Sequence, residues 1–143
     1  MDYIPADDSD KTYFRELNEE CYRDVVIRQF GSWDSDLQRL GFDAKWQEQR
    51  FSKIVIEDQI VGGVWVDELD DFRQIREIQI HPMHQGQGIG TRVVQDVIKT
   101  SREMGKPLRL KVLHMSQAVN LYKRLGFVVI DDTKAQYIME HHT

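Results

Sequence analysis

The chain has 143 residues, 41% hydrophobic and 30% charged, the size and balance of a water-soluble globular domain with a core of its own. With 24 acidic against 19 basic residues and a net charge of −5, the balance argues against general nucleic-acid binding, which needs a basic footprint, and leaves room only for a local basic patch. No run approaches the roughly 20 apolar residues that span a membrane, so a membrane protein is excluded.

The opening "MDYIPADDSD" is acidic and lacks both the basic region and the apolar run of a signal peptide; the expected location is the cytoplasm. Tyr3-Ile4-Pro5 reads as a short strand, and the aspartates after it supply caps for "KTYFRELNEECYRDVVIRQF". In that segment Phe14, Leu17, Cys21 and Val25 recur at helical spacing, and Gly31 closes it. Cys21, the only cysteine, excludes an internal disulfide, fits a reducing compartment and reads as a packed side chain rather than a nucleophile. Asp34 or Ser35 caps a second helix through "DLQRLGFDAKWQEQR", interrupted by Gly41.

"FSKIVIE" and "IVGGVWVD" flank Asp58-Gln59 as a hairpin. "FRQIREIQI" is a third strand of this run, with Ile78 and Ile80 on one face and Glu77 and Gln79 on the other. Then "HPMHQGQGIGTR" leads into a helix striped by Val93, Val94, Val97 and Ile98 and ended by "GKP". "LRLKVLH" is a strand, "SQAVNLYKRLG" a short helix capped by Ser116, and "FVVID" and "AQYIME" close the chain as strands. The order β-α-α-β-β-β-α-β-α-β-β, without repeat or linker, describes one mixed α/β domain over residues 1–143.

The glycines of the central loop carry the chemistry. Gly86, Gly88 and Gly90 stand at alternate positions between a strand and a helix. Such a loop presents unpaired N–H groups at the positive end of the helix dipole, where a phosphate binds and the missing Cβ atoms let its oxygens approach. The loop has no lysine for a P-loop. Its Gly-x-Gly-x-Gly spacing also differs from the dinucleotide fingerprint. Gln85-x-x-Gly88-x-Gly90 fits a third pattern, Gln/Arg-x-x-Gly-x-Gly/Ala. A plain flexible turn is the competing reading from the loop alone.

The element order, this loop and the later "AVNLYKRLGF" together resemble the GNAT superfamily, the GCN5-related N-acetyltransferases. The resemblance covers Tyr3 to Glu140 and is most specific between Glu77 and Phe127. It implies a GNAT-like acyl-CoA N-acyltransferase fold and acetyl-CoA as cosubstrate. Its pyrophosphate would be wrapped by the backbone of Gln85, Gly86, Gln87, Gly88, Ile89, Gly90 and Thr91. The pantetheine arm would lie between "REIQIHP" and "LRLKVLH", bonded to free backbone groups near Ile80 and His81. The N–H near Ile80 would also serve the developing oxyanion.

By the same resemblance Tyr122 is the acid for the departing thiolate, a role that a phenol pKa near 10 suits. On spacing alone, Ala118, Leu121, Tyr122 and Leu125 equally make a helical core face. Glu77 is the base, or a solvated carboxylate beside Arg76. Met115 stands where the family often has asparagine, which removes one polar contact.

The acceptor would be an amine. Tyr22 and Trp33, in or near the first two helices, would form an aromatic wall for a cation, unless they are core. His114 would line the acceptor site, unless it is a solvated loop residue. His81, His84 and His114 make no metal site, because Pro82 breaks the helical spacing and no further ligand converges. His141 and His142 read as an exposed tail. Family habit alone suggests a homodimer. The rival readings are a CoA-binding sensor module that does not turn over, and a phosphotransferase, which lacks its lysine and a clear carboxylate pair for Mg²⁺.

Overall fold

The computed structural model describes residues 1–142. The strands are β1 (Asp2–Pro5), β2 (Phe51–Ile56), β3 (Gln59–Glu68), β4 (Arg73–Ile80), β5 (Leu108–Leu113), β6 (Val128–Asp132) and β7 (Gln136–His141). The helices are α1 (Lys11–Phe30), α2 (Ser35–Trp46), α3 (Ile89–Glu103) and α4 (Ala118–Arg124). The strands make a sheet of order β1-β2-β3-β4-β5-β7-β6. Every neighbour pair in it is antiparallel except β4 with β5. The expected mixed α/β order is the observed one.

Each helix forms where its ends are satisfied. Asp7 and Asp10 make a reciprocal capping box at a short 3-10 turn before α1, and Gly31, left-handed at φ 92°, closes the helix. Asp34 caps α2 by accepting from Leu37 N–H at 3.1 Å. That helix carries Gly41 without a break but stops at Trp46, short of the expected Arg50. The β2–β3 turn falls on Glu57-Asp58, both at positive φ, one residue earlier than expected. Those angles suit a tight two-residue hairpin, whose twist matches the strands it joins.

The two faces of the sheet hold different cores. One packs Phe14, Leu17, Phe42, Trp46, Phe51 and Trp65 beneath α1 and α2; the Phe14 and Phe51 rings stack at 4.3 Å. The other packs the α3 stripe of Val93, Val94, Val97 and Ile98 against Ile75, Leu108, Leu110 and Met139. Gly62 and Gly63 keep β3 free of side chains where it is most crowded. A Cβ on Gly63 would lie 2.2 Å from Phe14 Cε1, and one on Gly62 would lie 2.1 Å from Gln79 O. The buried Arg73 guanidinium has its hydrogen bonds met by Glu68 Oε1 at 2.8 Å, Ser101 Oγ at 2.9 Å and Val97 O at 3.3 Å, which offsets the cost of burying its charge.

Strict alternation along β4 is interrupted once. Trp65 pairs with Glu77 and Val66 with Ile75, leaving Arg76 as an extra residue. The bulge puts Ile75, Ile78 and Ile80 all against the α3 core. It leaves Glu77 and Gln79 facing α1, where each finds a partner. β4 meets β5 at Arg73↔Leu108, Gln74↔Arg109 and Ile75↔Leu110, and no pairing is seen beyond. The two strands splay apart, and the sheet opens there.

Candidate active site

The opening between β4 and β5 is a cleft of about 1140 Å³ that runs from the α2 side to the loop before α3. Its walls bring together residues from distant parts of the chain, among them Tyr22, Lys45, Glu77, Ile80, Gln85 and Tyr122.

At one end lies the glycine loop. Gly86 and Gly88 are left-handed at φ 76° and 79°, conformations that a side chain rarely adopts. A Cβ on either would meet nothing within 4 Å, so it is conformation, and room outside the protein, that these glycines supply. The α3 ladder begins with Arg92 N–H to Gly88 O at 3.1 Å. The N–H groups of Ile89, Gly90 and Thr91 therefore have no acceptor within the helix and sit at its positive end. Gln85 turns back, donating from Nε2 to Ile80 O at 2.9 Å, and Gln87 belongs to the exposed turn. An anion with several oxygens fits this cradle.

In the middle of the cleft, backbone direction matters. His81 N–H bonds to Val61 O at 2.8 Å, so His81 is not the free donor that was expected. Polar groups alternate along a strand, and the N–H of Ile80 therefore turns away from β3 and into the opening. Cys21 Sγ donates to Ile80 O at 3.3 Å; burial pushes its thiol up to about 11, as befits a packed cysteine. The His81 ring accepts from Met83 N–H at 3.1 Å and meets Glu20 at 3.4 Å.

Glu77 holds the other end. It is 7% exposed and is not the solvated neighbour of Arg76: Arg76 bonds to Asp67 at 2.8 Å and lies 4.7 Å over the Trp65 ring. Instead Glu77 Oε2 accepts from Tyr22 OH at 2.7 Å, and Oε1 is ion-paired with Lys45 Nζ. Gln79 donates from Nε2 to Asn18 Oδ1 at 3.2 Å, and its buried Oε1 has no protein partner.

Tyr122, 7% exposed, packs edge-on to Phe127 at 5.7 Å while its ring also lines the cleft. It is thus both core and wall. Burial first, and the Glu77 charge second, push its hydroxyl up to about 12. Burial, with Glu77 next, also holds the Tyr22 hydroxyl well above its ordinary range. Both phenols stay protonated donors at neutral pH.

Trp33 and His114 stand outside the cleft. Trp33 lines a separate small hollow between α1 and α2, with its indole N–H buried and unpartnered. His114 bonds to Asp132 at 2.7 Å and packs on Tyr137 at 4.5 Å, held by the last hairpin. His141 is no loose tail either: it lies in β7 and packs on Phe127 at 5.4 Å. Lys45 was missed in the sequence, because a lysine near a helix end reads as a solvated charge. Among the described residues no group of three metal-ligating side chains converges and no helix is long and apolar enough to cross a membrane.

A splayed β4–β5 pair thus joins a loop of open helix-start amides at one end to a carboxylate, a lysine and two phenols at the other, and the fold places the chain among transferases. The family model for acetyltransferases of the GNAT family matches residues 11–127, and the chain belongs to that family. Among curated proteins it is 27% identical over 124 residues to the L-amino acid N-acyltransferase MnaT of Escherichia coli K12, covering 77% of this chain and 72% of that one. The L-methionine sulfoximine/L-methionine sulfone acetyltransferase of Salmonella typhimurium matches with the same identity and coverage. Among solved structures, the PaiA N-acetyltransferase of Thermoplasma acidophilum, in complex with coenzyme A, superposes with a TM-score of 0.79 at 16% identity over 100% of both chains. The ribosomal-protein-S18-alanine N-acetyltransferase of Escherichia coli gives 0.70 at 17% identity over 98% of this chain and 92% of that one. The protein is a GNAT-type N-acetyltransferase.

Proposed function

We propose that the protein transfers the acetyl group of acetyl-CoA to a primary amine by direct attack in a ternary complex. The observation that carries this reading is the facing of three groups across one opening: the inward N–H of Ile80, the Glu77 carboxylate and the Tyr122 hydroxyl, with the Gly86–Thr91 cradle at the far end.

In this reading the loop amides of Gly86 to Thr91 hold the pyrophosphate, and the pantetheine arm lies along β4 as an added strand would. The Ile80 N–H donates to the thioester oxygen as it gains charge. Glu77 receives the acceptor's ammonium and takes a proton from it, and the amine nitrogen attacks the thioester carbon. Tyr122 gives its proton to the departing sulfur. Burial keeps that hydroxyl protonated at neutral pH, so it has a proton to give, and the second proton of the attacking nitrogen replaces the one it loses.

The acceptor we favour carries a carboxylate beside its amine. Glu77 and Lys45 set opposite charges side by side at the acceptor end. A zwitterion replaces that internal pair with two of its own, its ammonium on Glu77 and its carboxylate on Lys45. The amino-acid substrates in the names of the two curated relatives support the same class.

The test is a calorimetric titration with acetyl-CoA, followed by CoA release on a panel of free amino acids and their decarboxylated amines. Saturable binding and release that depends on the amine are expected. Absence of binding at millimolar acetyl-CoA overturns the reading.

A further inference from the structure

Lys45 is a primary amine resting on the carboxylate that the proposed reaction uses to receive its acceptor. Its side chain is 39% exposed, against 8% for Glu77, so it enters the cleft from a partly free position on the last turn of α2. Lys111 also lines the cleft but has no ion-pair partner among the described residues, which makes it an internal comparison. Without an external acceptor, the group in the acceptor's place is the protein's own.

We propose that Lys45 is a self-acetylation site, modified by the acetyl-CoA bound in the same cleft. The inference rests on the function proposed above. The ammonium of Lys45 first gives one proton through Glu77 to solvent. The neutral Nζ then attacks the thioester carbon, so that a C–N bond forms and the C–S bond breaks. The second amine proton ends on sulfur by way of Tyr122. The products are Nε-acetyl-lysine, free CoA thiol and one released proton, with no change of oxidation state. The attacking nitrogen must first leave the ion pair that holds it on Glu77, so the reaction is slow, and it happens once per chain. The acetylated side chain is uncharged; it releases Glu77 and removes the cation that would meet an acceptor's carboxylate.

The experiment incubates the full chain with acetyl-CoA alone and follows intact mass and peptide maps. One acetyl group per chain is expected, at Lys45, with a first-order rate that does not change with protein concentration. Lys111 should lag by about tenfold or more, since general base assistance contributes factors of that size and above. Glu77→Gln and Tyr122→Phe should each slow the labelling about 100-fold, and Lys45→Arg should remove it. If Glu77→Gln does not fold, Tyr122→Phe carries the comparison. Labelling of Lys45 no faster than of Lys111, or a rate that rises with protein concentration, overturns the inference. A protein that acetylates free amines yet leaves Lys45 unmodified overturns this inference alone; one that binds no acetyl-CoA overturns the proposed function with it.

Discussion

The two ends of the cleft are built on opposite plans. The glycine-loop end is one contiguous stretch, Gly86 to Thr91, that offers backbone amides, and a Cβ on Gly86 or Gly88 would meet nothing within 4 Å. The opposite end is assembled from Tyr22 on α1, Lys45 on α2 and Glu77 on β4, and its side chains are already paired with one another. An open backbone cradle recognises a constant chemical group and needs only conformation. A pre-paired side-chain cluster can be retuned by one substitution in any of three elements.

That contrast can be broken in four ways, taken from the largest effect down. Tyr122→Phe should lower kcat by about 100-fold while calorimetry finds acetyl-CoA affinity nearly unchanged; a parallel loss of affinity would mean that the tyrosine belongs to the glycine-loop end. Gly63→Val drives a side chain into Phe14, since a Cβ there already lies 2.2 Å from the ring. Urea unfolding should find a loss of about 2–3 kcal/mol, and full stability would show that α1 can lift from the sheet. At Gly88 an added Cβ would meet nothing within 4 Å, so Gly88→Ala should cost only about 1–2 kcal/mol in left-handed strain, and Gly88→Leu adds bulk toward the ligand side. Its acetyl-CoA affinity should drop by about tenfold, or 1.4 kcal/mol. An unchanged affinity would remove the cradle's purpose.

The smallest effect is a pH dependence. The Tyr122 hydroxyl has its pKa raised from 10.0 to about 12 in the fold. The unfolded chain therefore loses its proton first, and stability present below pH 10 falls as pH rises towards 12. Urea midpoints across that range should fall less steeply in Tyr122→Phe than in the unaltered protein, and equal slopes would show that the phenol's surroundings do not oppose its ionisation.

The glycine loop and the helix start after it were legible in the sequence because their information is local. Alternate glycines before an amphipathic segment mean a turn and a helix start wherever they occur, and α3 kept its apolar stripe. The cluster at the other end was only half legible. Strand alternation and aromatic density, together with the family resemblance, point to Glu77 and Tyr22, but their contact spans 55 positions, and no periodicity reports such a distance. Lys45 had no signal at all. The same aromatic density pointed to Trp33, which lines a small hollow beside the cleft rather than the cleft itself. His114 follows a splayed strand as expected, but Asp132 and Tyr137 hold its ring on the far hairpin. The bulge at Arg76 left no mark in the sequence either, although it decides which face Glu77 occupies.

The splay also has a mechanical side. Strands β1 to β4 and strands β5 to β7 are joined in the sheet by the short pairing that ends at Ile75 and Leu110. Across the gap, Gln29 of α1 holds Met115 N–H at 3.1 Å and Ala135 O at 2.7 Å, and Arg28 holds Met115 O at 3.1 Å. The seam is thus a compliant line with a tether at its open end. Pulled at right angles to the strands, the molecule should part there first. A donor whose amide groups add the missing rungs would raise the rupture force, so that occupancy of the cleft becomes readable as stiffness.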